Sequence, residues 1–161
     1  MEEVLPPQTQ EGAGFEPARV RQFTIFLENR VGRLQALVRA LDDSDQVIRA
    51  LSIEESGDTA LVRIICSNSD AARETLRLEA FAFSESELIA VRLSRRKPHN
   101  MVSVCAALLA AEINIHYAYP FLNISGGPAI TLYVDDMTLA AELLMKKGFI
   151  LIAESDLQNL Q

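Results

Sequence analysis

The chain has 161 residues, 49% of them apolar, and carries a net charge of −7. That size lets a chain bury roughly two-thirds of its unfolded surface, enough for one ordinary domain or two small ones without a disulfide or structural metal. The acidic balance argues against nucleic acid or an anionic membrane as the main partner, because counterion release needs a clustered basic surface; the short run Arg95-Arg96-Lys97 reads as a solvated loop.

The sequence begins MEEVLPP, acidic where a secretory signal would be basic, which points to the cytoplasm. Residues 1–21 carry Pro6, Pro7, Gly12, Gly14 and Pro17 among Gln and Glu and show no periodicity, as expected of a mobile tail. FTIFL (23–27) reads as a strand, and Leu34, Leu37, Val38 and Leu41 then follow the i, i+3, i+4, i+7 rule of an amphipathic helix. QVIRALSIE (46–54) and TALVRIIC (59–66) read as strands around the Gly57 hairpin. Ser67-Asn68-Ser69-Asp70 offers caps for a second helix to about Glu79, and Phe81 to Ser84 forms a fourth strand.

The order βαββαβ then repeats at an offset of 67 to 69 residues, with Gly32 opposite His99 and Ile48 opposite Ile115. LIAVRL (88–93) is a strand; Met101, Val104, Cys105 and Leu108 form a helical stripe; INIHYAYPF (113–121) and AITLYV (129–134) are strands. Asp136 caps a helix carrying Leu139, Leu143 and Leu144, Gly148 ends it, and FILIAE (149–154) closes the pattern. Each half is thus an α+β split βαβ unit, ferredoxin-like, with both helices on one face of an antiparallel sheet. The expected organisation is a tail (1–21), a first domain (22–86), a second domain (87–156) and a C-terminal tail (157–161), with the two sheets joined side by side into eight strands.

MVSVCAALLAA (101–111) is too short for the roughly 20 residues that span a bilayer. Cys66 and Cys105 lack metal or redox spacing and are expected to be buried, reduced thiols. In TALVRIIC and AITLYV both strand faces are apolar, although helices can cover only one; covering the other with a second copy predicts a homodimer. No nucleophile–base pair, metal-ligand set, P-loop or GxGxxG occurs, so neither catalysis nor a cofactor is expected.

ENRVGRLQALVRAL followed by QVIRALSI resembles the ACT domain, a small ligand-sensing module attached to many enzymes of amino-acid metabolism, and residues 22–154 look like two such domains in tandem. Asn29, Gly32 and Leu34 match the family's strand-to-helix turn, while Val31 stands where Pro is usual. The turn has its own chemistry. Gly32 permits a sharp bend and a close backbone approach, and the following helix begins with free N–H groups and partial positive charge, a seat for a carboxylate. Asn29 can offer either a carbonyl or an NH₂ group. A helix cap and a plain turn account for the same two residues equally well.

The resemblance implies that the second strands of the two modules meet at their edges, and that the ligand sits between one module's turn and its neighbour's second strand. On that pattern Leu27, Asn29, Arg30, Val31, Gly32, Arg33 and Leu34 supply one side of a composite site and Asn114 the other. His116, two residues on, either borders the pocket or is a structural strand residue. The reciprocal pair, Arg96 and Val47, is poor, and the turn Arg96 to Asn100 is expected to be silent. The implied function is a non-catalytic sensor of an amino acid or similar polar metabolite, regulating an amino-acid biosynthetic enzyme, in one version acetohydroxyacid synthase. The alternatives are a structural or interaction module of the same fold and, more remotely, a split βαβ enzyme.

Overall fold

In the computed structural model residues 17–158 are described. The tail expected over residues 1–21 therefore lies mostly outside the described residues. From Val20 the chain is already strand: β1 (Val20–Glu28), α1 (Arg33–Asp43), β2 (Ile48–Ser56), β3 (Thr59–Cys66), α2 (Ser69–Leu78) and β4 (Ala82–Arg92) are followed by α3 (Met101–Ala110), β5 (Ile115–Pro120), β6 (Ala129–Val134) and α4 (Met137–Lys146), and a 3₁₀ turn spans Glu154–Leu157. The tandem α+β reading holds.

The sheet has six strands in the order β2-β3-β1-β4-β6-β5, not eight. Two expected strands merge, because Glu85-Ser86-Glu87 continues the extended backbone instead of breaking it. β4 serves both halves: its first part pairs with β1 from Ala82 to Leu88, and its last part pairs with β6 from Ile89 to Arg92. β1 begins at Val20, opposite Leu88, so the other side of β4 is left open from there. The expected strand 149–154 fills only that gap: Arg92 N–H donates to Ile150 O, Ile152 N–H donates to Ala90 O, and Leu151 bridges Val91 before the chain turns away. The sheet curls until the edge strands of the two halves meet at a single antiparallel bridge, Ala50 to Phe121.

Helical periodicity places one core under each helix pair. In the first half Leu37 and Leu41 of α1 and Ala72 and Leu76 of α2 pack on Phe23, Ile25, Val62 and Ile64. In the second, Val104 and Leu108 of α3 and Ala140 and Leu144 of α4 pack on Ile89, Val91, Leu132 and Val134. Each such Leu or Ile contributes roughly 1.5–3 kcal/mol of apolar burial. The predicted stripes are only half inside. Leu34 and Val38 lie at the open edge of α1, and Leu139 is exposed on α4.

A third core lies on the sheet face opposite the helices: Val20, Ala50, Ile65, Leu88, Ala90, Tyr119, Ala129, Ile152 and Leu157 come from both halves and the C-terminal turn. The apolar second face that implied another copy is thus covered by the chain itself. Cys66 is buried as expected, but Cys105 is exposed. On α3 the core takes Val104, Ala107 and Leu108, which leaves Cys105 on the outward stripe with Val102 and Leu109.

Candidate functional site

The end of β1 is held by the β2–β3 hairpin. Asn29 N–H donates to Asp58 O at 2.8 Å, and its Nδ2 donates to Glu55 Oε1 at 2.8 Å and Gly57 O at 3.3 Å. Glu55 ends in this contact because β2 runs to Ser56 and the hairpin is only Gly57-Asp58. With its NH₂ group engaged, Asn29 has only its carbonyl oxygen left to offer. Gly32 then adopts φ 88°, ψ −10° as the N-cap of α1. A side chain is strained in that left-handed region, and no atom lies within 4 Å of where a Cβ would stand, so the turn is open.

α1 differs from the other helices at its start. Asn68, Asn100 and Asp136 cap α2, α3 and α4 with side-chain oxygens, whereas α1 has no side-chain cap and no acidic residue in its first turn. Arg33 N–H donates to Arg30 O at 3.3 Å, and no side chain caps the amides that follow it, Leu34 and Gln35, at the positive end of the helix. Beside it, Leu27, Glu28, Asn29, Arg30, Arg33 and Leu34 join Ile53, Ala60 and Val62 around a cavity of about 130 Å³. That is room for about four waters at ~30 Å³ each. Arg30 is paired with Glu28 at 2.5 Å. The Arg33 guanidinium lies 5.3 Å from the Phe81 ring centroid, and its buried Nε has no hydrogen-bond partner among the described residues. Val31 is fully exposed, and neither it nor Gly32 lines the cavity; Gly32 instead borders a separate groove of about 390 Å³ along α1 with Gln35, Ala36, Arg39 and Glu79.

The corresponding turn of the second half differs in being capped, although Lys97, Pro98 and Ser103 line a groove of about 500 Å³ beside it. Asn100 Oδ1 accepts from Ser103 N–H at 3.0 Å and from Ser103 Oγ at 2.8 Å, occupying the start of α3. Ser94 N–H donates to His99 O at 2.8 Å, and the His99 ring sits edge-on to Phe149. Asn114 and His116 stand together on Asp135: Asn114 N–H donates to Oδ2 at 3.1 Å, and His116 Nε2 lies 2.5 Å from Oδ1. Both are exposed, neither lines the cavity at Asn29, and no hydrogen bond connects them to it. The structure thus brings Leu27, Asn29, Arg30, Arg33 and Leu34 together around one cavity, with Val31 and Gly32 outside it and the second-strand residues in a separate cluster.

A polar network between the halves escaped the sequence reading. Gln22, fully buried, accepts from Tyr119 Oη at 2.5 Å and donates through Nε2 to Tyr117 Oη at 2.8 Å and Ser86 Oγ at 3.1 Å. Arg63 lies 4.0 Å from the Tyr117 ring centroid, and Tyr117 stacks on Tyr133. Burial, reinforced by Tyr117, pushes the Tyr119 phenol above its ordinary range. The available signal was the polar Gln22 in VRQFTIF, at the parity of Val20 on a face that had to be covered. Among the described residues no three His, Cys, Asp or Glu side chains are grouped to hold a metal.

Two split βαβ units sharing one strand, with an open strand-to-helix turn in the first, define a paired ligand-sensing module. The profile of the family described as an ACT domain pair matches residues 18–161, and the chain belongs to that family. Its fold matches the crystal structure of protein BT0572 from Bacteroides thetaiotaomicron at a TM-score of 0.80 and 28% identity, over 89% of this chain and 99% of that one. The regulatory subunit of aspartate kinase from Thermus thermophilus, in its ligand-free form, matches at a TM-score of 0.54 and 10% identity over 81% and 93% of the two chains, a likeness of fold. The comparison with curated proteins gives no match. No helix among the described residues is long and apolar enough to cross a membrane.

Proposed function

We propose that the protein is a non-catalytic sensor that binds an amino acid, or a similar small metabolite with a carboxylate, at the β1–α1 turn and passes its level to an enzyme of amino-acid metabolism. The observation that carries the reading is the uncapped start of α1 at Gly32 beside the cavity formed by Leu27, Asn29, Arg30, Arg33 and Leu34. A ligand carboxylate would replace the missing cap and meet the Arg33 guanidinium, whose planar fork of N–H donors matches a carboxylate. Asn114, just before β5, and His116 within it would complete the site. The antiparallel sense of the Ala50–Phe121 bridge supports this, since it runs the start of β5 back towards the Gly57 hairpin that holds Asn29.

Binding would bias the seam between the halves, because β2 and β5 are joined by one bridge and not by a ladder. The capping of α3 by Asn100, whose side chain takes the Ser103 amide where α1 has no such cap, supports one site per chain. The regulated enzyme would be amino-acid biosynthetic, with an acetohydroxyacid synthase as one instance, and the sensor would act as a cytoplasmic homodimer. A thermal-shift screen against the twenty amino acids tests the reading. A selective shift lost in Asn29→Ala and kept in Arg96→Ala is expected; no shift with any of them contradicts it and favours an interaction module of the same fold.

A further inference from the structure

α3 carries no charged residue from Met101 to Ala111. A helix apolar all round is ordinarily buried on all sides. Here only one face is: Val104, Ala107 and Leu108 enter the core, while Val102 is 66% exposed and Leu109 77% exposed, with Cys105 and Ala106 between them at the i, i+3, i+4, i+7 spacing of a helix-pairing seam. Of large apolar side chains, the first-half helices expose only Leu34 and Val38 at the edge of α1 and the single Leu78 on α2, set among polar residues. These helices turn Gln35, Arg39, Asp70, Glu74 and Arg77 outward.

Beside the start of α3 lies a groove of about 500 Å³ between Val102, Ala106 and Phe149, with Lys97 and Lys147 at its rim. The two lysines share one end of the helix layer, as the contact of His99 Nε2 with Lys147 O at 3.2 Å shows. The opposite end is acidic and exposed, with Glu112, Asp135 and Asp136. A surface that is basic at one end, acidic at the other and apolar between is complementary to itself when turned end for end.

We propose that the α3 face pairs with the α3 face of a second copy, antiparallel about a two-fold axis. Leu109 of each copy fills the other's groove at Val102 and Ala106, and Glu112 meets the rim lysines. The small side chains of Ala106 and Ala110 allow close helix approach, and opposed helix dipoles add to the charge match. The inference rests on the two-copy assembly put forward above and names its surface; it does not depend on the ligand.

Light scattering on the full chain without ligand tests it. The wild type is expected at twice the 17.8 kDa chain mass. Leu109→Arg and Val102→Arg are each expected to weaken association by about 10-fold or more, the scale of a central interface residue. Leu78→Arg, on the exposed side of α2, should leave it unchanged. Leu109→Gln keeps the test open should an arginine variant fail to fold, and a short bis-maleimide should link Cys105 to Cys105 in the wild type but not in Leu109→Arg. A wild-type monomer overturns the pairing and the assembly together. A dimer indifferent to changes at Val102 and Leu109 leaves an assembly standing on another surface and overturns this one.

Discussion

Tyr119 of β5 donates its phenolic hydrogen to Gln22 of β1 at 2.5 Å, joining the second half to the first inside the curled sheet. Removing the hydroxyl by Tyr119→Phe leaves a buried carboxamide oxygen without that donor. Such a loss costs about 1–3 kcal/mol. The urea midpoint should fall accordingly, whereas Gln22→Leu in the Tyr119→Phe background should recover part of the loss; an unchanged midpoint in the single variant would show that the bond contributes nothing.

Alkaline stability should track Cys66. Burial, with the Glu154 carboxylate behind it, pushes this thiol up to about 12. Because the folded value is raised, the unfolded chain releases its proton first. The contribution is full below the ordinary thiol value of about 8.5, then declines as pH rises towards the folded value. Denaturation at mildly and strongly alkaline pH should show wild type losing more stability than Cys66→Ala; parallel losses would count against the assignment.

The C-terminal turn should act as a clasp. Glu154 accepts from Arg21 N–H at 2.8 Å and from the Ser69 hydroxyl, and Leu157 O accepts from Arg49 Nε at 3.1 Å. Glu154→Ala leaves a part-buried amide unpaired, at a cost of about 1–3 kcal/mol. Hydrogen exchange at Ile152 and Ala153 should accelerate more than at Val62. Equal protection in variant and wild type would contradict the clasp.

Gly32→Ala separates backbone strain from packing. Nothing surrounds the position, so the cost is the left-handed φ alone, about 1 kcal/mol, and the melting temperature should fall by about 2–4 °C. A larger fall would mean that the turn is less open than its surroundings indicate.

The repeat was legible because each half alternates its periods in the same order, and because Asn68, Asp136 and Gly148 stand where helices start or stop. The turn from β1 into α1 was legible from Asn29 and Gly32, the residue that takes its left-handed N-cap conformation. What failed was long-range in origin. Glu85-Ser86-Glu87 reads locally as a linker, yet hydrogen bonding to β1 keeps it extended. The inner face of β3 and β6 reads as unpartnered, yet the curl brings the other half onto it. Cys105 was placed inward because α3 is apolar on every side and its stripe could be drawn through either face. Gln22 carried a signal, but its partners lie 95 and 97 residues away on Tyr117 and Tyr119.

Whether the β1–α1 turn is a ligand site is decided by an amide NMR titration with the amino acid selected by the thermal-shift screen. Resonances of Arg30 to Gln35 and of the Gly57 hairpin should move together with one affinity, while those of Lys97 to Ser103 stay still. Movement confined to the second turn, or none at Gly32 and Arg33 when the ligand is bound, would contradict the proposed site.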